Sequence, residues 1–275
     1  QLVEHPATEQ PGSDHGRQAN VAGAALGGRF RYNHGMASEP AQDLDTFPAP
    51  ENGINVYNEK SLHAALKEWY RQPDDHLEVR VDGYIIDLVR GDQLVEIQTG
   101  SFSPLKRKLA ALAERHAVRL VFPIAQEKWI VHLPEDERGE PQRRKSPRRG
   151  RVEQVFKELV YIPGLIQNEN FSLEVLLIRE EELRRHEANK AWRRRGWVTQ
   201  ERRLLGVLDR QVFQTSRDLA RLLPPDLPNP FTARELAKAM RQPDWLAHKM
   251  IYCFKALGMI TPDGKRGKAL LYERL

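Results

Sequence analysis

The stretch YIIDLVRGDQLVEIQTG, Tyr84 to Gly100, sets one acid into each of two otherwise apolar runs: Asp87 behind Tyr-Ile-Ile, and Glu96 behind Leu-Val. The intervening RGD is a turn signal, so the two runs read as consecutive strands of a hairpin. Strand side chains alternate faces with a period of two. Leu94, Glu96 and Gln98 therefore point one way, and Val95, Ile97 and Thr99 the other. A hairpin register across RGD sets Asp87 beside Glu96. Two adjacent carboxylates repel and raise each other's pKa unless a cation lies between them. A divalent ion such as Mg²⁺ or Mn²⁺ removes that conflict, binding through one or two carboxylates and completing its shell with water and substrate phosphate. The spacing fits a second arrangement as well, in which both acids lie on a solvated sheet face.

Working outward, the hairpin belongs to an ordered series. Upstream, Leu62, Ala65, Leu66 and Trp69 recur at helical spacing behind Asn58, which predicts a helix over 58–71 with Asn58 as its N-cap. QPDDH ends it. LEVRV, YIIDLV and QLVEIQT follow as a three-strand meander joined by DG and RGD. Leu105, Leu109, Leu112 and Ala113 then mark a helix from Leu105 to His116, and AVRLVFPI and KWIVHL read as two further strands.

A helix, a three-strand meander carrying Asp87 and then Glu96-Ile97-Gln98, a crossover helix and the strand VRLVFPI resemble the core of the PD-(D/E)XK nuclease superfamily. The likeness covers about residues 56 to 133. It implies an α/β, restriction-endonuclease-like fold in which Asp87 and Glu96 hold Mg²⁺ or Mn²⁺. It also implies that Gln98 stands at the position usually held by lysine, and that Glu59 is the acid contributed by the first helix. Glu68 is the alternative acid on that helix. His63 reads as a surface or half-buried helix residue rather than a general base. A neutral amide at position 98 cannot stabilise developing negative charge as an ammonium does, so the resemblance requires Lys106 or Lys108, on the following helix, to reach back.

The rest of the 275-residue chain supports a partner of opposite charge without naming it. Hydrophobic residues make up 40% and charged residues 29%, as in ordinary globular proteins, and the formal net charge of +5 leans basic. A single cysteine, Cys253, excludes an intrachain disulfide and a cysteine-cluster zinc site, and cytoplasmic localisation is the expectation. No window approaches a membrane span or a secretory signal. Residues 1–53, rich in Gly, Pro and Ala, read as a disordered leader. Because the sequence begins with Gln and its first Met is Met36, part of that leader is expected to lie upstream of the native start.

The nuclease-like domain is assigned to 54–136. Residues 137–152, within which QRRKSPRRGR concentrates basic residues, read as a basic linker, and 153–225 as a basic connecting region. Within the latter, LRRHEANKAWRRRGW interleaves arginines with Trp192 and Trp197. That pattern fits phosphate contact and base stacking, or equally a charged hairpin balanced by Glu180 to Glu182.

From 226 to the end, Thr232 with Glu235 forms a capping-box signature. Leu246, Met250, Cys253, Phe254 and Leu257 form one apolar stripe, and Gly258 ends the helix. Two β-patterned runs then flank a basic Gly-rich tip. Helix, turn, helix and hairpin resemble a winged helix. With the stripe facing the core, His248, Lys249, Tyr252 and Lys255 are left toward solvent or DNA, and the resemblance implies that the wing, with Lys265, Arg266 and Lys268, touches the phosphate backbone. A small helical domain for protein contacts is the alternative. Cys253 reads as a buried small hydrophobe.

The sequence thus points to a metal-dependent endonuclease hydrolysing phosphodiester bonds in DNA. The alternative is a catalytically inactive nuclease-like DNA-binding regulator, and a protein-interaction module is a third class.

Overall fold

A computed structural model of the chain describes residues 60–135 and 139–275. The expected leader over 1–53, the N-cap Asn58 and the helical acid Glu59 lie outside the described residues.

The fold is mixed α/β. Among the described residues, ten strands divide into a seven-stranded, mostly antiparallel sheet and a small three-stranded sheet. The first described element is helix α1, Lys60–Tyr70, which buries Leu62, Leu66 and Tyr70 at successive i, i+4 positions. Trp69, expected on that face, is 40% exposed, because the buried row runs through Tyr70 instead. The Tyr70 hydroxyl donates to Glu174 at 2.8 Å.

Strands β1 (His76–Val81), β2 (Tyr84–Arg90) and β3 (Gln93–Ile97) form the antiparallel meander that the sequence predicts. Asp82 and Gly83 both take positive φ between β1 and β2, the backbone that a tight two-residue hairpin turn requires. After α2, Lys106–Ala113, the chain crosses over to β4, Ala117–His132, which runs parallel to β3. The predicted strands AVRLVFPI and KWIVHL are one continuous strand, with a register irregularity against its neighbour between Ala125 and Glu127.

The greatest departure from expectation follows. The run expected as a basic linker contains β5, Gln142–Lys145, paired antiparallel with the end of β4. A 3-10 turn and the short helix α3, Phe156–Leu159, lead into β6, Phe171–His186. β6 lies parallel to β4, and β7, Trp197–Phe213, completes the sheet antiparallel to β6. The order is β1-β2-β3-β4-β6-β7, with β5 on the edge of β4. The region expected to connect two domains is therefore the sheet's own centre and far edge.

A short helix α4, Ser216–Ala220, precedes the C-terminal module. There β8 (Phe231–Thr232), α5 (Ala233–Met240), α6 (Asp244–Ala256), β9 (Ile260–Arg266) and β10 (Ala269–Arg274) follow in order. The capping box is present in full: Thr232 accepts from the Glu235 N–H, and the Glu235 carboxylate accepts from the Thr232 N–H. Leu246, Met250, Cys253, Phe254 and Leu257 are all buried, as their spacing predicts.

These side chains belong to the same apolar cluster as Ile86, Leu120 and Leu173 of the large sheet, and Phe254 packs on Phe156 of α3 at 5.1 Å between ring centres. The division at 137–152 is thus bridged by strand pairing and by a shared core, and the described residues all fall within one compact unit. A second cluster on the opposite sheet face, Leu62, Leu66, Leu88, Val95, Ile97 and Ile178 among its members, seats α1. No helix among the described residues is long and apolar enough to cross a membrane.

Candidate functional site

The β2–β3 ladder pairs Arg90 with Gln93, Val89 with Leu94 and Leu88 with Val95. One step further the same register would set Asp87 opposite Glu96, and there the ladder ends. β3 instead stays with β4, pairing Glu96 with Leu120 and Ile97 with Val121, and the Gln98 N–H donates to the Val121 carbonyl at 2.9 Å. β2 stays with β1, pairing Ile86 with Val79. The two strands part at the two acids. The freed Ile97 N–H donates to Asp87 Oδ2 at 2.8 Å, so a carboxylate replaces the missing rung.

Each acid is held from a different helix. On α1, His63 and Lys67 are one turn apart and flank the buried Leu62–Leu66 row. His63 Nε2 lies 3.2 Å from Asp87 Oδ2, and Lys67 Nζ lies 3.6 Å from Asp87 Oδ1. Lys67 also reaches Glu78 at 2.8 Å. Burial opposes ionisation of Asp87, but His63, the Ile97 N–H and Lys67 outweigh it and hold the carboxyl below its ordinary value. The same contact raises His63, with burial working against it.

On α2, Lys108 Nζ sits 2.6 Å from Glu96 Oε1 and donates to the Ile85 carbonyl at 2.6 Å. Burial raises the pKa of Glu96, with the nearby Asp87 charge adding to it and Lys108 opposing it. Glu96 Oε2 is buried with no hydrogen-bond partner. A buried carboxylate oxygen without a partner carries a desolvation cost that a cation would remove.

Of the other residues expected here, the Gln98 amide donates to the Ser101 carbonyl at 2.6 Å, in the loop that leads to α2. Lys106 is exposed at the start of α2, and Lys108, one turn-step further on, is the lysine that reaches back. Glu68 points to solvent, 3.9 Å from Arg71, so it is not the helical acid of this site. Sequence reasoning passed over Lys67. Its signal was the i, i+4 spacing from His63 on one side of the apolar row. No group of three or more His, Cys, Asp and Glu is placed to hold a metal among the described residues. Asp87 and Glu96 are the pair that could hold one, since two carboxylates with water and phosphate suffice for Mg²⁺. The unpartnered Glu96 Oε2 fits that role.

In the C-terminal module, His248, Tyr252 and Lys255 are exposed on α6 and Lys265 and Lys268 are exposed on the β9–β10 hairpin. Two of the expected DNA contacts are otherwise engaged: Lys249 Nζ donates to the Lys157 carbonyl at 3.1 Å, and Arg266 pairs with Glu235 at 2.6 Å. Cys253 is buried, and burial pushes its thiol up to about 12, so it is no nucleophile.

Comparison with known proteins finds no matching solved structure. An uncharacterized protein of Treponema pallidum (strain Nichols) is 31% identical over 228 residues, covering 80% of this chain and 87% of that protein. Residues 60–214, from α1 to the end of β7, match the family model described as a domain of unknown function, DUF8091. The matched span includes α1, the parted strands, Lys108 and the whole seven-stranded sheet. The chain belongs to the DUF8091 family.

Proposed function

We propose that this protein is a metal-dependent deoxyribonuclease that hydrolyses phosphodiester bonds at the Asp87–Glu96 site. The observation that carries the reading is the parting of β2 and β3 one step beyond the Leu88–Val95 rung, where each strand carries a carboxylate, with one buried oxygen, Glu96 Oε2, left without a partner. The element order adds to it: helix, antiparallel meander, crossover helix, and a fourth strand parallel to the third are what a PD-(D/E)XK core requires.

Asp87 and Glu96 would hold Mg²⁺ or Mn²⁺, which when bound supplies a water of lowered pKa and positive charge against the phosphate oxygens. Lys108 answers the departure at Gln98. Its ammonium, fixed between Glu96 and the Ile85 carbonyl, supplies the charge that an amide at position 98 lacks. His63 and the Ile97 N–H fix the orientation of the Asp87 carboxylate. The exposure of Lys265 and Lys268 on the β9–β10 hairpin, and of His248 and Tyr252 on α6, supports contact with duplex DNA in the manner of a winged helix.

A second reading, an inactive nuclease-like DNA-binding regulator, is favoured by the occupancy of Asp87, both of whose oxygens already face cationic side chains from α1. Incubation with plasmid, linear and branched DNA in Mg²⁺ or Mn²⁺ separates the two. The nuclease reading expects cleavage by the parent and none by Asp87→Ala. Absence of cleavage by both the parent and Gln98→Lys, across all substrates and both metals, favours the regulator.

A further inference from the structure

Between Val121, where β3 leaves, and Trp129, where β5 joins, the edge of β4 carries no ladder among the described residues. Two single bonds pin the 146–150 loop across this gap: Ser146 N–H to the Lys128 carbonyl at 2.8 Å and Gly150 N–H to the Ala125 carbonyl at 2.9 Å. A cleft of about 1380 Å³ opens there. One end is formed by Thr99, Gly100 and Ser101, the residues directly after Gln98, and the other by the β6–β7 hairpin.

The charge in this cleft is layered. At its floor Glu180 and Glu182 are buried, and they take up Lys128, Arg202 and Arg184 at 2.6, 2.6 and 3.0 Å. Arg194 also reaches Glu182 at 3.3 Å, so these internal pairs set four cations against two carboxylates. At the rim Arg144, Arg148, Arg193 and Arg195 have no carboxylate partner among the described residues. An ion-paired floor with a cationic excess beneath a rim of guanidinium groups without carboxylate partners suits a polyanion that runs along the cleft.

The hairpin adds a feature that a phosphate-only surface does not need. Trp192 is 80% exposed, with the Arg193 guanidinium 5.0 Å from its ring centre. Beside it a shallow hollow of about 310 Å³ is lined by Ala191, Trp197 and Val198. Trp197 is itself fixed by stacking on His132 at 3.8 Å and 10°. Duplex bases are stacked inside the helix and leave an exposed indole without a partner, whereas a single strand offers each base face to it.

We propose that this cleft binds single-stranded nucleic acid, with the backbone along Arg144, Arg148 and Arg195 and a base stacked on Trp192, and that it leads the strand toward Gln98 and Glu96. The cleft as a binding site stands on its own geometry. Only its role as a lead-in to the Asp87–Glu96 site rests on the nuclease reading.

The test is fluorescence anisotropy of the full chain in EDTA, so that no cleavage occurs, with labelled oligo-dT, oligo-U and a duplex of equal length. Oligo-dT or oligo-U should bind more tightly than the duplex. Preference for the first identifies DNA, and preference for the second RNA, which would keep the cleft and contradict a DNA substrate. Trp192→Ala should weaken single-strand binding about tenfold, the loss of one stacked base. Arg144→Gln with Arg148→Gln and Arg195→Gln should lower the slope of log affinity on log salt by about 0.7 per lost phosphate. Lys265→Gln with Lys268→Gln, on the hairpin proposed to contact duplex DNA, should weaken duplex binding more than single-strand binding, and Arg217→Gln, exposed on α4 outside the cleft lining, should change neither. The proposal is overturned if duplex binds as well as single strand, if neither cleft variant weakens binding, or if only the Lys265/Lys268 variant does. Loss of cleavage alone, with binding intact, counts against the proposed activity and leaves the cleft standing.

Discussion

Lys108→Met keeps the aliphatic stem of the side chain and removes its charge, leaving Glu96 without the ammonium 2.6 Å from Oε1 and the Ile85 carbonyl without its donor. Both side chains are nearly enclosed, at 15% and 12% exposed. Removing one member of a buried pair costs about 3–5 kcal/mol, because the remaining charge stays buried alone. The residual solvent contact and the ability of Glu96 to take up a proton reduce this to about 2–3 kcal/mol. For a unit of this size a loss of 1 kcal/mol lowers Tm by about 2–4 °C, so a fall of about 5–10 °C is expected in EDTA. Glu96→Gln in the same background should recover part of the loss, since the uncompensated charge is then gone. Added Mg²⁺ should also stabilise Lys108→Met, by about 2.7 kcal/mol at a hundred times its dissociation constant. Differential scanning calorimetry in EDTA and in Mg²⁺ reads all three. A Tm for Lys108→Met within about 1 °C of the parent in EDTA would refute the reasoning, because it would mean that the Lys108–Glu96 pair is solvated and contributes nothing.

Three further outcomes are expected. Burial opposes ionisation of Glu182, yet Arg184, Thr199 and Lys128 hold its carboxyl down at about 2 against an ordinary 4.5; the stability this supplies is complete above pH 4.5 and lost as pH falls toward 2. At about 1.4 kcal/mol per unit it amounts to roughly 3 kcal/mol, and Glu182→Gln should flatten the acid limb of a urea-denaturation series measured against pH. Phe254→Ala should cost about 3–5 kcal/mol and leave a single unfolding transition by circular dichroism, since the C-terminal helices and the large sheet share one core; two separated transitions would contradict that shared core. A Cβ on Gly150 would collide with the Ala125 carbonyl and the Ile124 side chain, so Gly150→Ala should lose about 1–3 kcal/mol by chemical denaturation and should weaken single-strand binding by displacing the 146–150 loop.

The meander was legible because its turns are chemical signals: Asp82-Gly83 and Gly91 supply the positive φ that short hairpins need. The apolar stripe of α6 and the Thr232–Glu235 capping box were legible for the same reason, a fixed spacing with a local cause. In β6 the sequence offers no period-two signal to tell a strand from a helix, since Phe171 to Ile178 are buried on both sides. β5 was read as a linker because all four residues of Gln142–Lys145 are exposed, and a charged edge strand has no apolar face to betray it. At the site, Asp87 and Glu96 were visible as acids in apolar runs. Lys67 was not, because a lysine on a helix is solvated by default, and only the position of α1 against β2 gives it Asp87 as a partner.

The central claim is that Asp87 and Glu96 hold a divalent ion, and isothermal titration of the full chain with Mn²⁺ in the absence of DNA tests it most directly. The account predicts saturable binding by the parent and by Trp192→Ala, and its loss in both Asp87→Ala and Glu96→Gln. Binding that persists unchanged in those two variants, or no binding by the parent, would contradict it.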